Sequence, residues 1–214
     1  MPSNSKPATV FVVDDDADVR GSLRFLFDSA GHRVEVFASA NEFLAAFDPS
    51  RPGCLVADVR MPGMSGVDLQ TELIARGCTI PVIFISGHAD VPIAVRAMKA
   101  GASDFIEKPY SDQLLLDRVQ RAIEDDAERR REAARRAEAR ALYETLSPRE
   151  REVMALVVRG KANKQIAAKL DLSQKTIEVH RSAVMRKLRV QNVPDLVRVA
   201  TLVGLAGGED EDED

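Results

Sequence analysis

The sequence lacks several features that would point to common protein classes. It has no tryptophan and few other aromatic residues, which argues against a surface that stacks the bases of single-stranded nucleic acid. No apolar run approaches the roughly 18 residues of a membrane-spanning helix, and the first residues lack the apolar core of a signal peptide. Cys54 and Cys78 do not have the number or spacing of a metal site, so we interpret them as reduced core thiols of a cytoplasmic protein.

Positive charge is concentrated in one part of the chain. Residues 1–110 carry a net charge of −4, whereas residues 147–208 have 12 basic and five acidic side chains, a net charge of +7. A small basic region of this kind is typical of a protein that binds a polyanion. Residues 209–214 are all acidic and cannot form a packed core, so we expect a disordered tail there.

Short apolar runs alternate with helical patterns in the first half of the chain. The alternation predicts an α/β fold, a doubly wound five-stranded parallel sheet with helices on both faces. Ser39 and Ser65 are candidate N-caps, and Gly31, Gly77 and Gly101 are placed to end helices. The predicted strands are 9–13, 33–37, 54–58, 81–86 and 104–107, and the predicted helices are 17–30, 39–47, 65–76 and 91–100.

A long charged stretch follows, without glycine or proline, and predicts one continuous helix from about residue 112 to 144. Small residues at heptad spacing leave two interpretations open: a solvated linker, or a dimer contact between closely packed alanines. The heptad positions are Ile123, Ala127, Arg130, Ala134, Ala137 and Ala141.

A second, all-α domain is predicted to begin near Leu146. Ser147, Pro148 and Glu150 form the pattern of a capping box with proline at the first helical position. Four helices are expected, at about 148–159, 163–170, 174–188 and 194–203. The predicted organisation is a first domain over 7–122, a helical linker over 123–145, a four-helix domain over 146–206 and an acidic tail over 207–214.

Polar side chains stand where four of the predicted strands end. Asp14 and Asp15 follow the first strand, Asp58 ends the third, Ser86 ends the fourth and Lys108 follows the fifth. The C-terminal ends of parallel strands meet at one edge of a sheet, where ligands bind. Three carboxylates, a hydroxyl and an ammonium at that edge predict a site for a divalent cation and a phosphoryl group.

The residues around these positions resemble the receiver domain of two-component response regulators, which has a CheY-like fold. The resemblance covers about residues 7–122 and includes the motifs 12–15, 58–66, 86–87 and 105–109. It implies that Asp58 accepts a phosphoryl group from a sensor histidine kinase. It also implies that Asp15, Asp58 and the backbone carbonyl of Arg60 bind Mg²⁺ directly, with Asp14 acting through a water.

The same resemblance assigns the response to phosphorylation. Lys108 is expected to contact the phosphoryl oxygens as a point charge, and Ser86 to offer them a hydroxyl. Phe105 is expected to be the aromatic ring that follows Ser86 inward, and the bond between Lys108 and Pro109 is expected to be cis.

Residues 86–101 resemble the FixJ-type receivers in particular, which usually have glycine where this chain has Ala89. By this resemblance, Val91, Arg96 and Lys99 lie on a helix that meets its twin in a phosphorylation-driven homodimer. His88 and Arg60 flank the site and are either surface side chains or residues that tune hydrolysis of the acyl phosphate.

Residues 147–204 resemble the LuxR-type (NarL/FixJ) helix-turn-helix domain, which binds DNA. The motifs that carry this resemblance are 146–153, 160–167, 172–180 and 184–188. The resemblance implies a transcription factor that binds double-stranded DNA, with RNA polymerase as a further partner.

The predicted helix 174–188 has an apolar face and an opposite polar face that suits the major groove. Glu178, Val179 and Ser182 are the candidates for contacts with base edges. Contacts with phosphates position a protein without specifying a sequence. The candidates for them are Lys164, Gln165, Lys175, Thr176, Arg181 and Lys187. Thr176 alternatively caps the helix, and His180 is interpreted as a structural residue.

Two other function classes compete with a DNA-binding response regulator. An aspartyl-phosphate phosphohydrolase needs a second acid two residues after its nucleophile, where this chain has Arg60, so we expect a regulator and not an enzyme. An RNA-binding output domain is the other class, and the helix-turn-helix spacing argues against it. The acidic tail either screens the DNA-binding face or only aids solubility.

Overall fold

The computed structural model describes residues 7–87 and 91–205, and the chain divides into two compact units with the boundary after Arg130. In the first unit the strands are β1 Thr9–Val13, β2 Arg33–Phe37, β3 Gly53–Asp58, β4 Val82–Ser86 and β5 Asp104–Glu107. The helices are α1 Ala17–Ser29, α2 Ala40–Ala46, α3 Gly66–Ala75, α4 Val91–Lys99 and α5 Asp112–Glu144, which continues into the second unit. The strands form one parallel sheet in the order β2-β1-β3-β4-β5.

Two apolar cores cover the two faces of this sheet. Along β1, Val10 and Val12 point into the core made with α1 and α5, whereas Phe11 and Val13 point into the core made with α2, α3 and α4. All four side chains are fully buried, because a strand between helical layers has no face towards water. Burial of each such side chain stabilises the fold by about 1.5–3 kcal/mol.

Local sequence signals fix the ends of the helices. The hydroxyls of Ser39 and Ser65 accept hydrogen bonds from backbone N–H groups three residues later, as N-caps do. Gly31, Gly77 and Gly101 follow α1, α3 and α4 with positive φ, a conformation in which glycine has no steric cost. These caps were predicted from the sequence and are confirmed.

The second unit packs four helices against the C-terminal part of α5. They are α6 Pro148–Val158, α7 Asn163–Leu170, α8 Gln174–Lys187 and α9 Val193–Leu202. Ser147 and Glu150 form the predicted capping box at the start of α6. The core of this unit includes Ile166, Ile177 and Leu196, with Leu142 of α5 partly buried against it.

The predicted fold class is confirmed, because the sheet, its flanking helices and the following helical unit are all present. Cys54 is fully buried and Cys78 partly buried; burial raises the pKa of the Cys54 thiol. None of the described helices combines the length and apolar character that crossing a membrane requires. His88, Ala89 and the acidic tail, about which the sequence made predictions, lie outside the described residues.

Candidate functional site

An ion pair at the C-terminal edge of the sheet brings three of the predicted site residues together. The ammonium nitrogen of Lys108 is 3.1 Å from Oδ1 of Asp58, to which it donates a hydrogen bond. It is also 3.6 Å from Oδ2 of Asp14. Asp58 ends β3, Asp14 directly follows β1, and Lys108 directly follows β5, so three strands that are separate in sequence deliver one charged cluster.

Backbone groups hold the two carboxylates in place. The N–H of Arg60 donates to Oδ2 of Asp58 at 2.7 Å, and the N–H of Asp16 donates to Oδ1 of Asp14 at 2.9 Å. The guanidinium of Arg20 on α1 donates to the backbone carbonyl of Asp14 at 2.7 Å. Each carboxylate is therefore held by the loop that follows its own strand, and it keeps one oxygen towards Lys108.

Burial and charge act against each other at Asp14 and Lys108. Burial raises the pKa of Asp14, and the hydrogen bond from Asp16 and the charge of Lys108 oppose that rise without cancelling it. Burial lowers the pKa of Lys108, but the hydrogen bond to Asp58 and the charges of Asp58 and Asp14 outweigh it, so the pKa is raised. Lys108 therefore remains an ammonium ion at neutral pH.

Gly66 at the start of α3 is required by the close approach of the backbone at Asp58. A Cβ at Gly66 would lie 2.3 Å from the carbonyl oxygen of Asp58, well inside any real contact. The N–H of Gly66 donates to the carbonyl of Val59 at 3.0 Å, which closes the loop between β3 and α3. The chain therefore reverses tightly beside the candidate acceptor only because this residue has no side chain.

The predicted switch residues lie on β4 and β5 beside the cluster. Ser86 is buried, and its backbone carbonyl accepts a hydrogen bond of 2.8 Å from the N–H of Lys108. The ring of Phe105 is partly buried, with its centroid 6.4 Å from that of Phe84 on the neighbouring strand. The bond between Lys108 and Pro109 is cis, as the resemblance implied.

The oxygens expected to bind a divalent cation are all near this edge, but they differ in exposure. Asp14 is buried, Asp58 is mostly buried and Asp15 is exposed. Within residues 7–87 and 91–205, we find no group of three or more histidine, cysteine, aspartate or glutamate side chains that is placed to hold a metal ion. The donors are nevertheless all hard oxygens, the type that Mg²⁺ prefers.

The residues predicted to form a dimer interface lie on α4, which has a solvent-exposed apolar surface. Val91 is 67% exposed, and Val95 and Met98 are also exposed large apolar side chains. Arg96 and Lys99 are exposed on the same helix. The surface therefore has an apolar part and a basic part, and both are accessible within the first unit.

A polar face of α7 and α8 in the second unit carries most of the predicted DNA contacts. Val179 is 62% exposed, and Glu178 and Ser182 are exposed on the same helix. Ile177, Val184 and Leu188 are buried on the opposite side, as the helical pattern predicted. The exposed side chains beside this face that were predicted to contact phosphates are Lys164, Gln165 and Lys175.

Some of the predicted phosphate contacts also have structural partners. Arg181 donates a hydrogen bond of 2.7 Å to the side-chain oxygen of Asn163, which joins α8 to the start of α7. Thr176 donates its backbone N–H to the hydroxyl of Ser173, and the two hydroxyls are 2.7 Å apart. Thr176 therefore takes part in the cap of α8, the alternative role that the sequence left open.

Lys187, also predicted to contact a phosphate, has two partners within the second unit. Its ammonium donates to Oε2 of Glu150 at 2.6 Å and to the carbonyl of Thr145 at 3.2 Å, inside the second unit. Burial alone raises the pKa of Glu150, but hydrogen bonds from Lys187 and from the backbone of Ser147 outweigh it, so the pKa is lowered. Lys187 is thus held by a buried acid and has a structural role within the second unit, while its contact with a phosphate stays a prediction.

Sequence reasoning missed one residue beside the site and one ion pair at the opposite end of β3. Arg20 was overlooked because a single arginine in a surface helix carries no local signal of the carbonyl it contacts. Asp126 and Arg130 were assigned to the linker, although their spacing of four residues indicates an ion pair on one helix face. Nothing in the local sequence shows that Arg130 also donates hydrogen bonds to backbone carbonyls of the loop before β3.

Known proteins resemble the chain over almost its whole length. It matches the response regulator receiver domain family over residues 10–120 and the luxR family of bacterial regulatory proteins over residues 144–200. It is 48% identical to Nodulation protein W of Bradyrhizobium diazoefficiens over 207 residues, 97% of this chain and 91% of that protein. It is 47% identical to transcriptional regulatory protein FixJ of Azorhizobium caulinodans over 201 residues, 94% of this chain and 95% of that protein. A solved structure of the response regulator StyR matches with a TM-score of 0.84 and 45% identity, covering 92% of this chain and 99% of that chain.

Proposed function

The chain belongs to the response regulators that join a receiver domain to a LuxR-family DNA-binding domain, and on that premise we propose that phosphorylation of Asp58 controls its binding to DNA. It is a two-component response regulator and a transcriptional regulator. The observation that supports the proposal best is the 3.1 Å contact between Lys108 and Asp58, which places a fixed cation beside a nucleophilic carboxylate.

The proposed reaction is transfer of a phosphoryl group from a phosphohistidine of a sensor kinase. A carboxylate oxygen of Asp58 attacks the phosphorus, the new O–P bond forms an acyl phosphate, and the N–P bond to the imidazole breaks. The imidazole leaves and takes up a proton. Lys108 offsets the negative charge that the phosphoryl group brings to a site that already holds Asp14 and Asp58.

We assign Mg²⁺ as the cofactor because the donor set consists of oxygens only. Asp15, Asp58 and the backbone carbonyl of Arg60 would hold the ion directly, and Asp14 would act through a water. When bound, the ion would supply positive charge that offsets the charge of the carboxylates and of the incoming phosphoryl group. The chain's own contribution is to hold Asp14 and Asp58 through the backbone N–H groups of Asp16 and Arg60.

The proposed output is a phosphorylation-driven dimer through α4. The Ser86 hydroxyl binds a phosphoryl oxygen, and Phe105 moves inward with the loop that follows β4. The exposed apolar side chains of α4, Val91 among them, support this surface, and Arg96 and Lys99 add its polar contacts. Phosphorylation acts by favouring one of two states, so it shifts a population that already exists.

In the dimer, two copies of α8 are expected to bind a DNA site with two-fold symmetry. Glu178, Val179 and Ser182 are assigned to base edges, since they are exposed on the face opposite the core. Lys164 and Lys175 are assigned to phosphates, because both side chains are exposed beside this face. RNA polymerase is a further proposed partner, and a DNA partner implies a cytoplasmic location.

The sensor kinase is expected to bind a groove between α1 and the loop after β5. Lys108 and Pro109 line one side of it, and Phe25 and Leu26 of α1 line the other. Phe25 is 76% exposed, an unusual position for a large apolar side chain. A phosphohistidine presented by a protein bound there arrives beside Lys108, which contacts Asp58.

Mass spectrometry of the intact protein tests the proposed acceptor. We expect the wild type to gain the mass of one phosphoryl group when treated with acetyl phosphate and Mg²⁺. Asp58→Ala should gain nothing, and omission of Mg²⁺ should greatly slow the gain in the wild type. A phosphorylated Asp58→Ala protein would place the acceptor elsewhere and overturn the assignment.

A further inference from the structure

The linker helix α5 is fastened to the first unit beyond the point where its apolar contacts end. Leu115, Val119 and Ala122 of α5 are buried in the core, and Ile123 is partly buried against it. Beyond Ile123, two charged residues, Asp126 and Arg130, make further contacts with the first unit. Asp126 is only 1% exposed, although an aspartate in a charged helix normally faces water.

Asp126 and Arg130 contact the loop that precedes β3 through several hydrogen bonds. Oδ2 of Asp126 accepts from the N–H of Gly53 at 3.0 Å and from Nε of Arg130 at 2.7 Å. The guanidinium of Arg130 also donates to the backbone carbonyls of three consecutive residues. They are Pro49, Ser50 and Arg51, at 3.1, 3.1 and 2.7 Å. We call this group of contacts the linker anchor.

The loop that receives these contacts is itself rigidly held. A Cβ at Gly53 would lie 1.9 Å from the carbonyl oxygen of Thr9, so the backbones of β1 and β3 approach closely there. The side chain of Arg51 pairs with Glu35 at 2.5 Å and lies over the ring of Phe11 at 4.8 Å. The anchor therefore joins α5 to the N-terminal end of β3, the central strand of the sheet.

The strand attached to the anchor is the one that carries the proposed acceptor. Gly53 is the first residue of β3 and Asp58 is the last, so the strand runs from the anchor to the site of phosphorylation. Beyond the anchor, residues 131–138 of α5 are all exposed, and the boundary between the two units follows Arg130. At Arg131 the helix thus changes from a segment that is hydrogen-bonded to the first unit to one whose side chains are exposed to solvent.

We propose that the linker anchor makes residues 123–130 part of the receiver body and couples the linker helix to β3, the strand that ends at Asp58. The receiver boundary of 7–122 predicted from the sequence is then extended to Arg130. Since Ile123 and Arg130 are held by the receiver, they are not free to form the heptad contact that the sequence left open. The coupling rests on the proposed function, whereas the anchor itself does not.

Hydrogen exchange of the full-length chain tests the anchor without reference to phosphorylation. In Arg130→Ala, the amides of Ser50, Arg51, Gly53, Cys54 and residues 123–131 should exchange at least about tenfold faster than in the wild type, because several hydrogen bonds to a charged group are lost. Arg136→Ala is the matched control, since it makes the same change at an exposed position of the same helix. Equal exchange in the two variants would overturn the anchor.

A second variant separates loss of the anchor from general misfolding. Arg130→Ala leaves the buried Asp126 carboxylate without its main cation, which by itself strongly destabilises a fold. The double variant Asp126→Asn with Arg130→Ala removes that charge and retains an acceptor for the N–H of Gly53. It should keep the wild-type circular dichroism and still show faster exchange of residues 123–131.

The coupling is measured as the ratio of DNA affinities with and without phosphorylation. The probe is a duplex selected from random DNA by the phosphorylated wild-type protein. We expect this ratio to fall at least about threefold in the double variant, with an unchanged rate of Asp58 phosphorylation and no fall in Arg136→Ala. A ratio equal to that of the wild type would overturn the coupling. If the wild type shows no dependence on phosphorylation, the proposed function fails, and the exchange result still decides the anchor.

Discussion

Lys108 donates a hydrogen bond of 3.1 Å to Asp58, which lies fifty positions earlier in the chain, across the C-terminal edge of the sheet. The same ammonium lies 3.6 Å from Asp14, so one cation faces two carboxylates. Removal of that cation leaves the two negative charges to repel each other and an incoming phosphoryl group.

Lys108→Gln should therefore slow the phosphorylation of Asp58 by acetyl phosphate, by about 10²–10³-fold if the ammonium acts like a typical transition-state donor. The gain in intact mass over time measures the rate. Lys169→Gln, a change at an exposed lysine of α7, is the control and should leave the rate unchanged. A rate for Lys108→Gln within twofold of the wild type would contradict the assigned role.

Gly66→Ala should destabilise the first unit, because its Cβ would lie 2.3 Å from the carbonyl oxygen of Asp58. Forced overpacking of this kind costs about 1–3 kcal/mol, which urea denaturation of the full chain measures. Gly21→Ala is the matched control: it lies inside α1, and among the described residues no atom beyond its chain neighbours and its own helix backbone lies within 4 Å of a Cβ there. Alanine there should stabilise the protein by about 0.5–1 kcal/mol. Similar effects of the two changes on stability would show that the backbone at Asp58 can accommodate a side chain at position 66.

The ion pair of Glu150 and Lys187 predicts a dependence of stability on pH. The pKa of Glu150 is lowered in the folded state, so its contribution is fully present above the unfolded pKa of about 4.3 and is lost as the pH falls through the lower folded pKa. Glu150→Gln should reduce the free energy of unfolding by about 1–2 kcal/mol at pH 7. The difference from the wild type should shrink below about pH 4.

Chemical denaturation at several pH values measures this difference. The exposed Glu152, which pairs with Arg149 on the surface, provides the control, and Glu152→Gln should change stability by less than about 1 kcal/mol. A loss in Glu150→Gln that stays constant down to pH 3 would show that the charge of Glu150 does not contribute.

Lys164 and Lys187 should behave differently in DNA binding, although both were predicted from the sequence as phosphate contacts. Lys164→Ala should weaken binding to any duplex and reduce the slope of log affinity against log salt by about 0.9, because one phosphate contact is lost. Lys187→Ala should leave that slope unchanged and lower the stability of the protein, since its ammonium is held by Glu150. Fluorescence anisotropy at several salt concentrations separates the two. A reduced slope in Lys187→Ala would show that this lysine also contacts a phosphate, as the sequence predicted.

The sequence predicted the fold well because local signals and burial agree along most of the chain. The apolar run from Val10 to Val13 is a strand buried on both faces, and the serines at 39, 65 and 147 begin helices as caps. The gathering of Asp14, Asp58 and Lys108 also followed from the sequence, since parallel strands bring their C-terminal ends to one edge.

The remaining contacts depend on distances that the local sequence does not encode. Arg130 reaches carbonyls about eighty positions earlier in the chain, and Lys187 reaches Glu150 from another helix. In both cases the charged pattern of the helix, taken alone, predicts a side chain that faces solvent. Tertiary packing instead placed a buried acid beside each cation, Asp126 in one case and Glu150 in the other.

The central claim is that phosphorylation of Asp58 controls DNA binding through assembly of a dimer. Size-exclusion chromatography with light scattering tests it most directly. Wild type and Asp58→Ala are compared in Mg²⁺ with and without beryllofluoride, which takes the place of the phosphoryl group. We predict a change from monomer to dimer in the wild type only. The same mass for both proteins under every condition would contradict control of assembly by Asp58.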